Sequence, residues 1–304
     1  MESGMTRVAI VNVTGYAGIE LARLLHTHPE VQLTCVTGRS SAGQPLGDVF
    51  PHLRDVGIEI VPEIEGSVDV VFSALPHAAS AAVIGPTFKD GVLCIDLSAD
   101  FRLRSQTEYQ SWYGVKHAYP NLIGMAVYGL PELHRDQIAS TRLVANPGCY
   151  PTGAILGLAP AIKEGLINGS VIVDAKSGLS GAGRTSNIEY NFSEVNDSVK
   201  AYGLNGHRHV PEMQQELGDL SPNGAVSITF VPHLVPMTRG ILSTCYGQLV
   251  KNASQKDVQD LYKEFYLSEP FASVVSEPPS TKQTWGNNHC LIYPKVREQE
   301  ETNL

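Results

Sequence analysis

A single cysteine on a tight turn is the residue best placed for covalent chemistry. It lies in residues 146–153 (Asn-Pro-Gly-Cys-Tyr-Pro-Thr-Gly), between a short apolar strand and an apolar run at helical spacing. Cys149 is therefore predicted at a helix N-terminus, where unpaired N–H groups and the helix dipole stabilise a thiolate. The alternative is a small residue of the hydrophobic core, because cysteine is among the most buried residue types.

Two histidines and a glutamate lie together in residues 206–212 (Gly-His-Arg-His-Val-Pro-Glu). Histidine exchanges protons near neutral pH, so His207 and His209 are candidate acid/base groups that Glu212 can orient. The rival interpretation is a metal site, which is disfavoured because no further cluster of ligands lies nearby in the sequence. We therefore predict no metal.

Arginines in two loops are candidates for holding an anion. Residues 177–184 are glycine-rich and end in Arg184, so backbone N–H groups and a guanidinium could cradle a phosphate or carboxylate. The same pattern is also typical of a flexible surface loop. Arg102 follows an apolar run and can bind an anion through two hydrogen bonds, with Asp100 orienting it.

The start of the chain is typical of a unit that binds a dinucleotide. A predicted strand at residues 7–11 leads into a glycine-containing turn and a helical run, and a pyrophosphate would lie on that helix N-terminus. The second strand, residues 32–37, leads into Arg39 and Ser40 instead of the acidic residue typical of NAD enzymes. This favours NADP, which carries a 2′-phosphate. The alternative is that Arg39 is a solvated loop residue.

The remaining apolar runs predict the fold class. Runs at residues 68–74 and 92–97 indicate buried parallel strands, and hence an α/β fold with a doubly wound, Rossmann-type nucleotide-binding domain. The first of these runs is followed by His77, which is either a structural residue or a cofactor contact. Later strands indicate an α+β domain with a mainly antiparallel sheet. We expect an NADP-binding domain at residues 1–147 and a catalytic and dimerisation domain at residues 148–304.

Composition limits the possible functions. The 304 residues, of which 42% are hydrophobic and 17% charged, are typical of a globular protein with two domains. A net charge of −9 disfavours nucleic-acid binding. Since the sequence shows neither an apolar run of membrane-spanning length nor a signal-peptide core, we expect a cytoplasmic protein without membrane contact. Five scattered cysteines predict neither a disulfide framework nor structural zinc.

Four motifs taken together resemble the N-acetyl-gamma-glutamyl-phosphate reductase family of arginine biosynthesis. Two are the cysteine turn and the histidine loop, and the others are residues 96–102 (Asp-Leu-Ser-Ala-Asp-Phe-Arg) and residues 279–282 (Pro-Ser-Thr-Lys). The resemblance extends from the first strand to about Val296. The related aspartate-semialdehyde dehydrogenases share the general plan of the active site but lack the His-Arg-His loop.

The resemblance implies an enzyme that reduces an acyl phosphate with NADPH. In that reaction the Cys149 thiolate attacks N-acetyl-glutamyl 5-phosphate, phosphate leaves, and the thioester accepts a hydride before N-acetyl-glutamate 5-semialdehyde is released. By similarity His207 is the acid/base group, with His209 its nearest rival, and Glu212 supports the loop. The expected partners are this small-molecule substrate and further copies of the chain, in a dimer or tetramer.

Candidate ligand-binding residues follow from both lines of argument. For the NADP site they are Thr14, Gly15, Tyr16, Ala17, Gly18, Arg39, Ser40, Leu75 and Pro76. For the substrate they are Arg102, Ser180, Arg184 and Lys282.

Two features depart from the family pattern. The family's cofactor turn begins with glycine where this chain has Asn12, whose Cβ and amide lie near the expected path of the pyrophosphate. The polar residues 297–304 stand where the family continues with a strand and a helix, so we expect a shortened C-terminus. One alternative is therefore an NADP-binding scaffold with little or no catalysis. A further alternative is a cysteine hydrolase or acyltransferase that uses no cofactor.

Overall fold

The chain folds into two compact units. The computed structural model describes residues 4–297, and the units are Met1–Pro147 and Gly148–Leu304. In the part of the chain that is described, none of the helices combines the length and the apolar character that crossing a membrane requires.

The first unit is a parallel sheet with helices packed on it. Its strands are strongly apolar because both faces are covered, and Ala9 and Ile10 of the first strand are 0% exposed. The strands are β1 (Thr6–Val11), β2 (Val31–Thr37), β3 (Ile60–Val61), β4 (Val70–Ser73), β5 (Leu93–Asp96), β6 (Val127–Tyr128) and β7 (Leu143–Ala145). The helices are α1 (Tyr16–His26), α2 (Leu46–Val49), α3 (Ala81–Lys89), α4 (Gln106–Tyr113), α5 (Pro120–Ile123) and α6 (Pro131–Ser140).

The order of the strands locates a ligand crevice. It is β3-β2-β1-β4-β5-β7-β6, and each neighbouring pair is parallel. Strands β2 and β3 lie on one side of β1, and the chain then crosses to the other side, where β4 pairs with β1. In open parallel sheets ligands bind at this reversal, outside the carboxyl ends of the strands. The predicted doubly wound α/β fold is confirmed, and the turn after β1 lies next to the loop after β4.

A buried carboxylate lies at the carboxyl end of β5. Asp96 is 0% exposed and accepts hydrogen bonds from the hydroxyls of Ser80 (2.6 Å) and Ser98 (2.7 Å). Burial raises the pKa of Asp96 to about 6, although these hydrogen bonds oppose the increase. Because Ser80 immediately precedes α3, the network joins the start of this helix to the end of β5.

The second unit is built around a mixed sheet. Its strands are β8 (Ile167–Ser177), β9 (Lys200–Ala201), β10 (Ser227–Leu234), β11 (Ile241–Leu249), β12 (Ala272–Val274) and β13 (Cys290–Ile292). Its helices are α7 (Cys149–Lys163), α8 (Phe192–Val195), α9 (Val210–Leu220) and α10 (Gln255–Phe265). Strands β12 and β13 form a separate parallel pair.

One pairing in the larger sheet differs in direction from the expectation. The order is β11-β8-β10-β9, and the outer pairs, β11 with β8 and β10 with β9, are antiparallel, whereas β8 and β10 are parallel. The α+β class is confirmed, but the sheet is mixed at its centre. A parallel pair requires a crossover, which the segment containing α9 supplies between β8 and β10. Alternating burial in β10 shows that one face is covered and does not reveal the direction of its neighbour.

Helix α7 packs against the covered face of this sheet. The inward side chains of β8 are almost fully buried: Val171, Val173 and Ala175. Two tyrosines anchor α10 to the same helix, since the hydroxyl of Tyr262 donates to the carbonyl of Gly157 (2.8 Å) and that of Tyr266 to the carbonyl of Leu156 (2.5 Å). The helix that begins at the candidate nucleophile is therefore fixed by the core of the second unit.

Gly18 is a position at which the first unit has no room for a side chain. A Cβ there would lie 2.5 Å from the carbonyl oxygen of Asn12 and 2.7 Å from the Cα of Val13. We expect Gly18→Ala to destabilise the protein by roughly 1–3 kcal/mol, because the backbone must move to relieve the overlap. Urea unfolding followed by circular dichroism measures this change.

Gly15→Ala is the matched control, because a Cβ at Gly15 would have its nearest neighbour 3.9 Å away. Its unfolding midpoint should remain close to that of the original protein. An equal loss of stability in both variants would contradict the packing argument.

Candidate active site

The turn after β1 begins with an asparagine in a left-handed conformation. Asn12 has a φ of 66°, and its side-chain amide donates a 2.9 Å hydrogen bond to the carbonyl of Ala74, just beyond β4. Asparagine is one of the few residues other than glycine that adopts this conformation routinely. The bond joins the turn after β1 to the loop after β4 and determines where the amide lies.

The helix that follows this turn suits an anion. Gly15 immediately precedes α1, and within the described residues no side chain caps its first turn. Gly18 brings the helix against the turn, since a Cβ there would overlap the backbone of Val13. Backbone N–H groups and the helix dipole suit a pyrophosphate at this point. The predicted residues Thr14, Gly15, Tyr16, Ala17 and Gly18 therefore fit a dinucleotide.

The other predicted cofactor residues follow neighbouring strands. Arg39 and Ser40 are exposed in a short 3₁₀ turn after β2, while Leu75 and Pro76 follow β4. Because β2 and β4 flank β1 and run parallel to it, all the predicted cofactor residues lie at the carboxyl ends of these three strands. An exposed arginine at the end of β2 suits the 2′-phosphate of NADP.

In the second unit, Cys149 is the first residue of α7 and is exposed. The alternative of a buried core cysteine is therefore wrong. Gly148 immediately precedes the helix, with no side-chain cap from the residues described. The hydroxyl and the N–H of Thr152 both donate to the carbonyl of Gly148, at 2.9 and 3.0 Å, which fixes the turn below the thiol. N–H groups of the first helical turn can thus stabilise a thiolate.

Glu212 connects the histidine loop to the cysteine helix. It lies in the first turn of α9 and is 1% exposed. One oxygen of its carboxylate accepts the N–H of Gly148 at 2.6 Å. The contact ties the first turn of α9 to the start of α7, and the support of the histidine loop by Glu212 stays a prediction. Across residues 4–297, no group of three His, Cys, Asp or Glu side chains is arranged to hold a metal ion.

Aromatic rings surround His207. The centroid of its ring lies 5.1 Å from that of Phe230, 5.9 Å from that of Tyr150 and 5.8 Å from that of Tyr202. Burial, and to a smaller extent the charge of Arg208, lowers the pKa of His207 to about 4. The imidazole is therefore neutral at pH 7.

The backbone of His209 selects the tautomer of His207. The N–H of His209 donates to Nδ1 of His207 at 3.1 Å, so a neutral ring carries its proton on Nε2. The two rings are 4.8 Å apart, and His209 directly precedes α9. His207 thus has a hydrogen-bond donor at Nε2, and the N–H of His209 orients its ring.

Two tyrosines that the sequence analysis did not select lie close to the thiol. The hydroxyls of Tyr150 and Tyr202 are 2.9 Å apart, and burial is the main reason that the pKa of both is raised. A negative charge on Cys149 contributes to both increases, which places the two phenols within electrostatic reach of the sulfur. Tyr150 could have been found because it directly follows Cys149, whereas no local pattern marks Tyr202.

Ser180 and Lys282, two of the predicted substrate residues, lie near the loop between β10 and β11. The N–H of Ser180 donates to the carbonyl of Thr238 at 3.0 Å. A Cβ at Gly240 would lie 3.1 Å from the Cβ of Thr281, so the 3₁₀ turn that contains Lys282 packs on the same loop. Lys282 is exposed, as an anion-binding lysine must be.

The two predicted arginines differ in their surroundings. Arg184 is exposed, just after the 3₁₀ turn that contains Ser180. Arg102 lies in the first unit, is 8% exposed and donates to the carbonyls of Asn146 (2.8 Å) and Leu97 (2.9 Å). Those N–H groups hold loops at the ends of β5 and β7, and the substrate contact of Arg102 stays a prediction.

Comparison with known proteins identifies the family. Residues 7–141 match the family model described as "Semialdehyde dehydrogenase, NAD binding domain", and residues 149–304 match "Semialdehyde dehydrogenase, dimerisation domain". The N-acetyl-gamma-glutamyl-phosphate reductase of Dehalococcoides mccartyi is 53% identical over 290 residues, which cover 95% of this chain and 85% of the relative. The chain belongs to the N-acetyl-gamma-glutamyl-phosphate reductase family. The resemblance inferred from the motifs is confirmed.

A second relative agrees with this membership, and solved structures show the same fold. The reductase of Symbiobacterium thermophilum is 49% identical over 294 residues, 94% of this chain and 84% of that relative. Aspartate semialdehyde dehydrogenase II of Vibrio cholerae superposes with a TM-score of 0.71 at 16% identity, covering 95% of this chain and 88% of that one. The Candida albicans enzyme with NADP gives a TM-score of 0.67 at 14% identity, covering 92% and 86%. The solved structures show the shared fold, and the dimerisation domain supports a homo-oligomer.

Phe230 is one of the rings that bury His207. Leucine at that position removes an aromatic ring and admits water, so we expect Phe230→Leu to raise the pKa of His207 from about 4 towards its ordinary value. An NMR titration of the carbon-bound protons of the histidine rings measures the change.

Phe192→Leu is the control, because Phe192 lies in the same unit and is 78% exposed. The pKa of His207 should be unchanged in that variant. A pKa that also stays near 4 in Phe230→Leu would show that this ring does not keep water from the imidazole.

Proposed function

We propose that this chain reduces N-acetyl-glutamyl 5-phosphate with NADPH to N-acetyl-glutamate 5-semialdehyde and phosphate. The observation that carries the proposal is an exposed thiol at the start of α7, in a helical turn that also presents Tyr150 to the ring of His207. Relatives that are 49–53% identical bear the name of this reductase. A nucleophilic sulfur suits the substrate because acyl phosphates react by acyl transfer.

The start of α7 would activate Cys149. Its N–H groups and the dipole of the 15-residue helix favour the thiolate, which is the nucleophilic form of cysteine. The thiolate adds to the carbonyl carbon of the substrate. The bond between that carbon and the phosphate oxygen then breaks, phosphate leaves with the electron pair, and a thioester remains on Cys149.

His207 would stabilise the oxygen that becomes anionic in these steps. The ring is neutral at pH 7 because its pKa is about 4, and the hydrogen bond from the N–H of His209 leaves the proton on Nε2. In the proposed site Nε2 donates to the carbonyl oxygen as negative charge develops on it. The acid/base role assigned to His207 therefore takes the form of a donated hydrogen bond, and the thiolate of Cys149 leaves when the aldehyde carbonyl forms again.

The first unit would hold the cofactor. The turn from Thr14 to Gly18 fits the pyrophosphate, Arg39 and Ser40 fit the 2′-phosphate, and the loop after β4 fits the remainder. When bound, NADPH supplies the hydride that reduces the thioester. The amide of Asn12 is directed to the carbonyl of Ala74, which supports a turn that admits the dinucleotide.

Cations and a hydroxyl of the second unit would hold the substrate. Arg184 and Lys282 are exposed, and Ser180 lies at the loop on which the turn of Lys282 packs. The substrate carries a phosphate and a carboxylate, which suit guanidinium and ammonium groups. Arg102, which also holds the strand ends, remains a candidate for the same anions.

Replacement of the nucleophile tests the reaction. We expect the chain to oxidise NADPH only when N-acetyl-glutamyl phosphate is present, and Cys149→Ser to lower kcat by roughly a thousandfold or more, because serine at this position is a far weaker nucleophile. Cys290→Ser is the matched control in the same unit and should retain activity. The absorbance of NADPH follows the rate.

Other outcomes of this assay would favour the alternative functions. An unchanged rate of NADPH oxidation in Cys149→Ser would contradict the thioester mechanism. Tight NADP⁺ binding without turnover in the original chain would indicate a scaffold, and thioester cleavage without NADPH would indicate a hydrolase.

We further propose that the oligomer is a dimer formed through the open face of the mixed sheet. On that face Ile172 is 47%, Leu242 38% and Tyr246 52% exposed, and Tyr246 lies directly opposite Ile172 in the pairing of β11 with β8. An ion pair between Lys176 and Asp174 (2.8 Å) lies on the same face. Adjacent apolar side chains with a polar border are typical of a protein interface.

A charge at the centre of this face should separate the subunits. We expect Ile172→Asp to shift the protein towards the monomer at micromolar concentration, because association would bury an unpaired carboxylate. Analytical ultracentrifugation measures the distribution. Ile188→Asp is the control, since Ile188 is 73% exposed and lies outside the sheet. A dimer that persists in Ile172→Asp would refute the assignment.

A further inference from the structure

The carboxylate of Asp100 has three hydrogen-bond donors in the first unit. It is 0% exposed. One oxygen accepts the N–H of Ala78 at 2.6 Å and the hydroxyl of Tyr109 at 2.9 Å, and the other accepts the N–H of Ala81 at 2.9 Å. The N–H of Ala78 belongs to the connection between β4 and α3, and that of Ala81 to the first residue of α3. Asp100 therefore holds that segment of the chain.

One of these contacts holds a residue in a conformation that it does not favour. Ala78 has a φ of 67°, in the left-handed region, where the Cβ of any residue other than glycine is crowded. Its side chain is exposed, so packing does not hold it there. The hydrogen bond to the buried carboxylate is the interaction that compensates for the strain.

The loop that Ala78 closes is the one expected to meet the dinucleotide. It follows β4, which lies next to β1, and the amide of Asn12 in the turn after β1 donates to its first carbonyl, that of Ala74. At its tip the ring of His77 lies 5.5 Å from that of Tyr113. Tyr113 stacks at 4.8 Å on Tyr109, whose hydroxyl reaches Asp100, so the loop is supported at both ends.

We propose that Asp100 is a positioning residue for the dinucleotide, which holds the β4–α3 loop in its cofactor-binding conformation through the left-handed Ala78. The proposal rests on the proposed NADP site but concerns a residue that touches no cofactor. Without the carboxylate, Ala78 relaxes towards a right-handed conformation, and the peptide groups that follow Leu75 and Pro76 rotate. A loop that samples several conformations binds the dinucleotide less tightly because binding must order it.

Two measurements on the full chain test this role. Hydrogen exchange followed by mass spectrometry, on a peptide that spans residues 75–81 in the absence of nucleotide, reports the hydrogen bond to Ala78 directly. Calorimetry reports the Kd for NADP⁺. In Asp100→Asn the side-chain NH₂ faces one of the two backbone donors, so we expect roughly tenfold faster exchange and about tenfold weaker NADP⁺ binding.

Asp90→Asn is the matched control, because it removes the same charge at the opposite end of α3, where Asp90 is exposed. Both readouts should remain within about twofold of the original protein, since no buried hydrogen bond is lost. Ala78→Gly in the Asp100→Asn background should restore part of the affinity, because glycine adopts a positive φ without strain, although it does not restore the hydrogen bond. A merely structural role of Asp100 gives no such rescue.

Ala78→Val tests the same conformation without changing the carboxylate, and decides the matter if Asp100→Asn does not fold. A β-branched residue strongly disfavours a positive φ, so this variant should also exchange faster and bind NADP⁺ more weakly. Unchanged exchange and affinity in the folded variants would overturn the proposal. If the original chain does not bind NADP⁺, the proposed cofactor site is wrong. In that case, amide hydrogens of residues 75–81 that exchange slowly in the original chain and faster in Asp100→Asn would still show that Asp100 holds the loop.

Discussion

The chemistry of the second unit depends on one buried hydrogen bond, from the N–H of Gly148 to the carboxylate of Glu212. Cys149 and Tyr150 follow Gly148 on α7, while His207 and His209 lie just before Glu212 on the chain. The bond therefore fixes the start of one helix against the start of another. Because Glu212 is 1% exposed, water does not compete for its oxygens, and a charged acceptor strengthens the contact.

Features that depend on neighbouring residues in the chain could be predicted from the sequence. Proline and glycine before Cys149, followed by apolar residues at helical spacing, are sufficient to place the thiol at a helix N-terminus. The glycine turn after β1 and the apolar runs that follow likewise specify a doubly wound sheet. Such features are encoded over a few residues, where backbone preferences and the period of apolar side chains decide the structure.

Features that depend on residues distant in the chain could not be predicted. The hydroxyl of Tyr202 meets that of Tyr150 across 52 positions, and the carboxylate of Asp100 reaches back 22 positions to Ala78. The direction of β10 relative to β8 depends on the path of the intervening chain. The sequence contains the motif from Asp96 to Arg102, yet only the structure shows that Asp100 supports a loop and that Arg102 holds strand ends.

Asp96 and His207 have opposite effects on proton uptake during folding. Between about pH 3.8 and 6 the folded chain binds a proton on Asp96 that the unfolded chain has lost, so the stability from this group decreases as the pH rises. Between about pH 6.5 and 4 the unfolded chain protonates His207 while the folded chain does not, so stability decreases as the pH falls. Their windows overlap from about pH 4 to 6. In that range folding takes up one proton on Asp96 and releases another from His207. The two contributions to the pH dependence of the free energy of unfolding therefore largely cancel, while the imidazole stays neutral and the core carboxyl stays protonated.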